Sequence, residues 1–270
     1  MTHQPISQLK QQHSPTLRGL IMDMDGVVYR DDQPIGSLPE VFAVIDQRGL
    51  DYTLVTNNAT MTVEDIAQKL KRMGALVSTR RILNSPDATA IYLQHIFPGG
   101  APVFVVGETG LHESLHRCSF THDPERAKAV VVGLDRTLTY EKLAEATLLI
   151  RAGALFVATN PDHSYITPRG QVPGGGAIVA LLEVASGVQP VVVGKPNPEM
   201  YRVALERMNL QPAEVLVVGD RLETDIAGAQ ALGCRTALVL SGVTDRDAAL
   251  AWRPSLDYVA NDLTSLLQSL

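Results

Sequence analysis

The residues best suited to chemistry are Asp23 and Asp25, which close the run Leu20-Ile21-Met22-Asp23-Met24-Asp25-Gly26-Val27-Val28. The apolar residues before them suit a buried parallel strand, and open α/β sheets place their chemistry just beyond the carboxyl ends of such strands. Side chains two apart on extended backbone point the same way, so both carboxylates can face one site. Gly26 lets the chain turn away without steric cost. Two like charges this close repel unless a cation lies between them or one takes a proton. Three further apolar runs end in polar groups: Thr56-Asn57, Lys195, and Asp220 with Asp225. If these strands share one parallel sheet, their ends gather on one rim.

The pooled groups are hard oxygen ligands, one ammonium and one hydroxyl. Such a set suits Mg²⁺, which keeps waters and is completed by a substrate phosphate, and the lack of cysteine or histidine argues against zinc. An aspartate is ionised at neutral pH, so Asp23 needs no base to attack phosphorus. Mg²⁺ and Lys195 can neutralise a phosphate dianion, and Thr56 can donate its hydroxyl to a phosphoryl oxygen. Asp25 can protonate the leaving oxygen and then deprotonate the water that attacks an aspartyl-phosphate. Alone, each residue has an ordinary explanation as a turn, a helix cap or a solvated surface group. Their order, each at an apolar strand end, favours catalysis. A receiver-like module phosphorylated on Asp23 without turnover would need neither Asp25 nor a large insertion. A metal-independent dehalogenase would leave Asp25 and Asp220 without a purpose.

The elements that must position these groups alternate. Helical spacing over 38–48 and 62–74 separates strand-like runs at 20–23 and 52–55, which predicts right-handed crossovers and a parallel sheet. From 85 to 190 the rhythm continues, with strands expected at 103–106, 129–132 and 155–159. A glycine-dense turn, Pro173-Gly174-Gly175-Gly176, then leads into a helix. It lacks the Lys-Ser/Thr ending of a phosphate loop and reads as structural. Segment 148–160 echoes 45–57, a second α/β unit without the paired carboxylates. After 190 the pattern predicts a strand at 191–193, a helix over 198–208, a strand at 215–218, a helix over 224–232, strands at 236–240 and near 258, and a closing helix.

The chain has 270 residues, 45% hydrophobic and 19% charged, with a net charge of -6 and both signs mixed. That disfavours nucleic-acid or membrane-surface binding. No run of about 18 apolar residues is present, residues 1–14 are polar and read as a loose arm, and Cys118 and Cys234 lie far apart, as free thiols in a reducing cytoplasm would. His95, His112, His116, His122 and His163 share no spacing with carboxylates and read as surface or packing residues, although Asn160-Pro161-Asp162-His163 forms a polar loop that can meet substrate.

Together, Asp23-Met24-Asp25-Gly26, Thr56-Asn57-Asn58, Gly194-Lys195-Pro196 and Gly219-Asp220-Arg221-Leu222-Glu223-Thr224-Asp225 resemble the four ordered motifs of the haloacid dehalogenase superfamily, in particular its NagD-type, p-nitrophenylphosphatase-like branch. The resemblance implies a doubly wound α/β core with an inserted α/β cap between the second and third motifs. That puts the core at 15–86 and 190–270 and the cap at 87–189. It implies Asp23 as nucleophile, Asp25 as acid/base, and Thr56, Asn57 and Lys195 as phosphate contacts. Mg²⁺ would sit on Asp23, the Asp25 carbonyl and Asp220, with Asp225 reaching it through water. Expected substrates are small phosphomonoesters: sugar phosphates, nucleoside monophosphates, phosphoglycolate, glycerol phosphate or p-nitrophenyl phosphate. Relatives often pair through the cap, so a homodimer is a further expectation. Asn84-Ser85-Pro86 stands where many relatives read Thr-Ser-Ala, and Pro86 stiffens the approach to the cap.

Overall fold

The apolar run that carries Asp23 forms the centre of a parallel sheet in the computed structural model, which describes residues 16–167 and 169–270. The expected arm, 1–14, lies outside the described residues. The chain opens with β1 (Gly19–Asp23), a small hairpin of β2 (Tyr29–Arg30) and β3 (Gln33–Pro34), α1 (Leu38–Gln47), β4 (Asp51–Thr56), α2 (Val63–Arg72) and β5 (Ile82–Asn84). There follow α3 (Ser85–Ile96), β6 (Pro102–Val106), α4 (Thr109–Arg117), β7 (Thr121–His122), β8 (Ala129–Val132), α5 (Tyr140–Arg151) and β9 (Leu155–Ala158). A second hairpin, β10 (Ser164–Thr167) with β11 (Gly170–Pro173), precedes α6 (Gly175–Ser186) and β12 (Val191–Val192). The last part comprises α7 (Pro198–Met208), β13 (Val215–Gly219), α8 (Ala227–Ala231), β14 (Arg235–Val239), α9 (Arg246–Ala251), β15 (Tyr258–Ala260) and α10 (Leu263–Ser269).

The first sheet runs β15-β14-β13-β1-β4-β5, with its strand pairs parallel. Strands two-faced in this way need helices on both sides. Alternate residues of β1 accordingly enter different cores: Ile21 packs with Val55, Leu83 and Val217, whereas Leu20 and Met22 pack with Leu54, Val218 and Ala237. The second sheet, β12-β9-β8-β6-β7, is also parallel. One of its faces packs Phe104, Val106 and Val130 against Ile150 of α5 and Leu182 of α6. Its other face, Val103, Val105 and Val131, joins the cluster of Ile21 through Ala88 and Leu93 of α3. The inserted α/β layer thus shares apolar packing with the core. Among the described residues no helix is long and apolar enough to cross a membrane.

Two expectations change. Val191–Val192 pairs in parallel with Val157 and Ala158 and so belongs to the second sheet, not to the core segment that was expected to begin at 190. The helix expected over 224–232 starts as a π-helical turn, Leu222–Ile226, and becomes α-helical only at Ala227. Ile21 is fully buried at the middle of the central strand. Replacing it with alanine is expected to lower stability by about 2–5 kcal/mol, measured by urea unfolding.

Candidate active site

Strand register assembles most of the site. Asp23 pairs with Val55, so Thr56 stands one step beyond it on β4. Met22 pairs with Val218, so Gly219 and Asp220 follow at the same rim. Lys195 comes from elsewhere. Beyond β12, the Val193 N–H donates to the Ala158 carbonyl (3.0 Å) and the Gly194 N–H to that of Thr159 (2.8 Å). A Cβ on Gly194 would lie 2.3 Å from the Thr159 oxygen and 2.7 Å from Asn57 Oδ1, so only glycine lets the two loops pass. The Lys195 N–H then donates to Asn57 Oδ1 and Asn57 Nδ2 donates to the Lys195 carbonyl, both at 2.9 Å.

That clamp aims a buried ammonium at two buried carboxylates. Lys195 Nζ lies 2.5 Å from Asp23 Oδ1 and 2.6 Å from Asp225 Oδ1. The π-helical turn orients Asp225, whose other oxygen accepts the N–H groups of Asp220 (3.2 Å) and Arg221 (3.0 Å). The Tyr201 hydroxyl donates to the carbonyls of Asp225 (2.8 Å) and Thr224 (3.1 Å) and fixes that turn from behind. Extra-residue turns of this kind are common at functional sites because they re-aim a side chain.

Oxygens of Asp23, Asp220 and Asp225 lie within 4.8 Å of one another, and all three residues are buried. Among the described residues, three carboxylates face one ammonium in direct contact with them, that of Lys195. Asp220 Oδ2 accepts the Val243 N–H at 2.8 Å, while its Oδ1 is buried without a partner. A buried unpaired carboxylate oxygen is costly unless a cation or donor completes it. The packing around it is cut to shape. A Cβ on Gly242 would meet Asp220 Oδ2 at 2.0 Å, and one on Gly26, whose φ is +82°, would meet it at 2.5 Å. Hard, crowded, incompletely satisfied oxygens fit Mg²⁺, with Asp23 and Asp220 as the carboxylates to hold it.

Electrostatics agree with that fit. Burial raises the Asp23 carboxyl to about 8, with Lys195 opposing and Asp225 adding to the rise. Burial likewise raises Asp220, reinforced by Asp225. Burial alone would lower the Lys195 ammonium, but Asp225 and Asp23 overcome it and hold it well above the usual lysine value.

The other expected residues are placed as follows. Asp25 is exposed and is not one of the three clustered carboxylates. Partial loss of solvent still raises its carboxyl, against the pull of Lys69 and Lys195. The Thr56 hydroxyl accepts the Asn58 N–H at 3.1 Å, which leaves its proton free to donate. Asn57, expected at the phosphate, has its carboxamide committed to Lys195 and, at 3.3 Å, to Asp162 Oδ1, so what it can offer a phosphate is its main-chain N–H. Asp225, expected to reach the metal through water, has both oxygens in hydrogen bonds and is one of the three clustered carboxylates. His122 packs on Phe104 and His112, with ring centroids at 5.2 and 5.7 Å, a packing role as expected. Sequence reasoning passed over Tyr201 and Gly242, and it gave Asn160 and Asp162 no role beyond a polar loop that can meet substrate. Gly242 did carry a local signal, a glycine just past a strand end.

Two family models match the chain: a haloacid dehalogenase-like hydrolase over residues 20–121 and an HAD-hydrolase-like model over 192–266. An acid sugar phosphatase of Staphylococcus saprophyticus is 35% identical over 254 residues, covering 94% of this chain and 98% of that protein. The chain belongs to the haloacid dehalogenase superfamily. A Bacillus subtilis 5'-nucleotidase is 37% identical over 234 residues, covering 86% of this chain and 90% of its own length. The structure of a p-nitrophenyl phosphatase from Archaeoglobus fulgidus superposes with a TM-score of 0.89 at 34% identity, covering 95% and 100% of the two chains. Within the haloacid dehalogenase superfamily the chain falls in the NagD-type branch, with a doubly wound core and an inserted cap.

Two outcomes follow from the geometry. Gly242→Ala forces the Asp220 carboxylate to move and is expected to weaken Mg²⁺ binding by about 10- to 100-fold, read by titration calorimetry, with the fold retained. Without a divalent cation, the raised Asp23 carboxyl contributes stability that is present below the unfolded value of 3.8 and lost as pH rises through about 8. Cation binding needs the ionised form, so the rise in Tm caused by Mg²⁺ should be larger at about pH 8.5 than at about pH 6.

Proposed function

We propose that this chain is a Mg²⁺-dependent phosphatase of small phosphomonoesters, acting in the cytoplasm through an aspartyl-phosphate. The observation that carries the reading is the buried Lys195 ammonium held 2.5 Å from Asp23, within a group of three buried carboxylates of which Asp220 keeps one oxygen without a hydrogen-bond partner. The names of its relatives, an acid sugar phosphatase, a 5'-nucleotidase and a p-nitrophenyl phosphatase, support phosphomonoester hydrolysis. The free thiols Cys118 and Cys234 suit a reducing compartment.

Bound Mg²⁺ would be held by Asp23 and Asp220, with the Asp25 carbonyl, and would withdraw charge from the phosphoryl oxygens. An Asp23 oxygen attacks phosphorus as the bond to the leaving oxygen breaks. Lys195 offsets the phosphate charge, and the Thr56 hydroxyl and the Asn57 main-chain N–H donate to phosphoryl oxygens. Asp25, whose carboxyl is raised by burial, gives its proton to the leaving oxygen. It then takes a proton from water, which attacks the phosphorus of the aspartyl-phosphate, breaks the bond to Asp23 and frees orthophosphate. The inserted layer over the strand ends excludes bulk water and favours compact leaving groups such as a sugar or a nucleoside.

Hydrolysis of p-nitrophenyl phosphate with Mg²⁺, and again with EDTA, tests this directly. Turnover is expected only with the metal, and Asp23→Asn is expected to lower kcat at least about 10³-fold with Tm nearly unchanged, since an amide is a poor nucleophile. Turnover that survives EDTA would sink the metal-dependent reading, and an Asp23→Asn enzyme with more than about a few per cent of activity would sink the nucleophile assignment.

A further inference from the structure

We propose that Asp162 is a positioning residue for Lys195, acting through the Asn57 carboxamide, so that the grip on phosphate exists only while the loop after β9 is seated on the core. The inference rests on the phosphatase reading above, in which Lys195 holds phosphate.

Strands β9 and β12 are neighbours, so the loop 159–163 and the segment 193–195 leave the second sheet side by side. Asn57, at the end of core strand β4, is inserted between them. Its main-chain carbonyl accepts Asn160 Nδ2 at 2.8 Å and Ser85 Oγ at 3.0 Å. Its carboxamide uses both ends on the Lys195 main chain, and the remaining N–H goes to Asp162 Oδ1. A carboxamide has two donor hydrogens and one carbonyl oxygen, so this arrangement engages each of them.

The loop that presents Asp162 is itself fixed. The Asp162 N–H donates to Asn160 Oδ1 at 3.0 Å, and the Gly176 N–H at the start of α6 donates to the Asp162 carbonyl at 2.9 Å. A Cβ on Gly174 would lie 2.3 Å from the Asp162 oxygen, and one on Gly176 would lie 2.2 Å from that of Pro161. The glycine-dense turn before α6 therefore lets the helix close onto the loop and hold the Asp162 carboxylate against Asn57. Asp162 need not touch substrate to matter. Removing its acceptor frees one arm of the carboxamide that sets the Lys195 main chain, and the ammonium at the end of that side chain must meet Asp23 at 2.5 Å.

Orthophosphate separates this role from contact with a leaving group, because it has none. In enzyme that turns over p-nitrophenyl phosphate with Mg²⁺, Asp162→Ala is expected to raise the Ki of orthophosphate about fivefold or more, and Asp162→Asn, which keeps an acceptor oxygen, to restore most of it. The Asn57→Ala, Asp162→Ala double variant should bind orthophosphate no more weakly than Asn57→Ala alone. Amide hydrogen exchange at Lys195 should be faster in Asp162→Ala, and Asp162→Ser gives the same comparison if the alanine variant folds poorly. An unchanged Ki beside an altered KM for p-nitrophenyl phosphate would show Asp162 at the leaving group and overturn the inference, as would additive losses in the double variant. A wild-type enzyme that hydrolyses no small phosphomonoester would overturn the phosphatase reading, and this one with it.

Discussion

The structure depends on keeping three carboxylates and one ammonium together out of water. Desolvation opposes each charge, and the attraction between Lys195 and its two partners offsets that only because the geometry is tight. The surroundings are shaped to keep it so. Main-chain N–H groups satisfy one oxygen of Asp225 and one of Asp220. Glycines at 26, 219 and 242 admit those carboxylates at distances that no side chain would allow. What the fold does not satisfy is the last Asp220 oxygen. A buried carboxylate oxygen left without a donor, beside two other carboxylates, fits a site that a bound cation would complete.

Much of this was legible in the amino-acid order. The strands ending in Asp23, Thr56 and Asp220 are apolar runs with no competing period, and long buried strands of that kind are hard to misread. The helix over Pro198–Met208 was equally plain, framed by prolines and by apolar residues at helical spacing. Other features had no local signature. Val191–Val192 looks the same whether it pairs with the core or with β9, because sheet membership of so short a strand is decided by non-local contacts. The hairpin Ser164–Thr167 with Gly170–Pro173 is too polar to declare itself. The π-helical turn differs from an α-helix by one residue of register, which the pattern over 222–232 cannot distinguish.

The site residues divide along the same line. Charged groups at strand ends could be found because their position implied a shared rim. The clamp made by the Asn57 carboxamide had no local signature, because its partners lie 105 and 138 residues away and its side chain serves the backbone of another segment. Tyr201 was hidden for the opposite reason: a tyrosine on the apolar face of a helix reads as core, and only its hydroxyl contacts with the π-helical turn give it a second role.

The relocation of β12 changes what the inserted layer does. A lid that merely covered the strand ends would leave the charged cluster complete without it. Here the chain reaches Lys195 by way of the second sheet, so the position of the ammonium inherits the position of that sheet. The core alone supplies excess negative charge, and the returning segment supplies the cation that tempers it. Coupling of this kind lets one layer hold the acidic half of the site and the other deliver the basic half, with Asn57 fastening the two where they meet. The same stretch of main chain that pairs with β9 therefore also sets where the Lys195 ammonium meets Asp23.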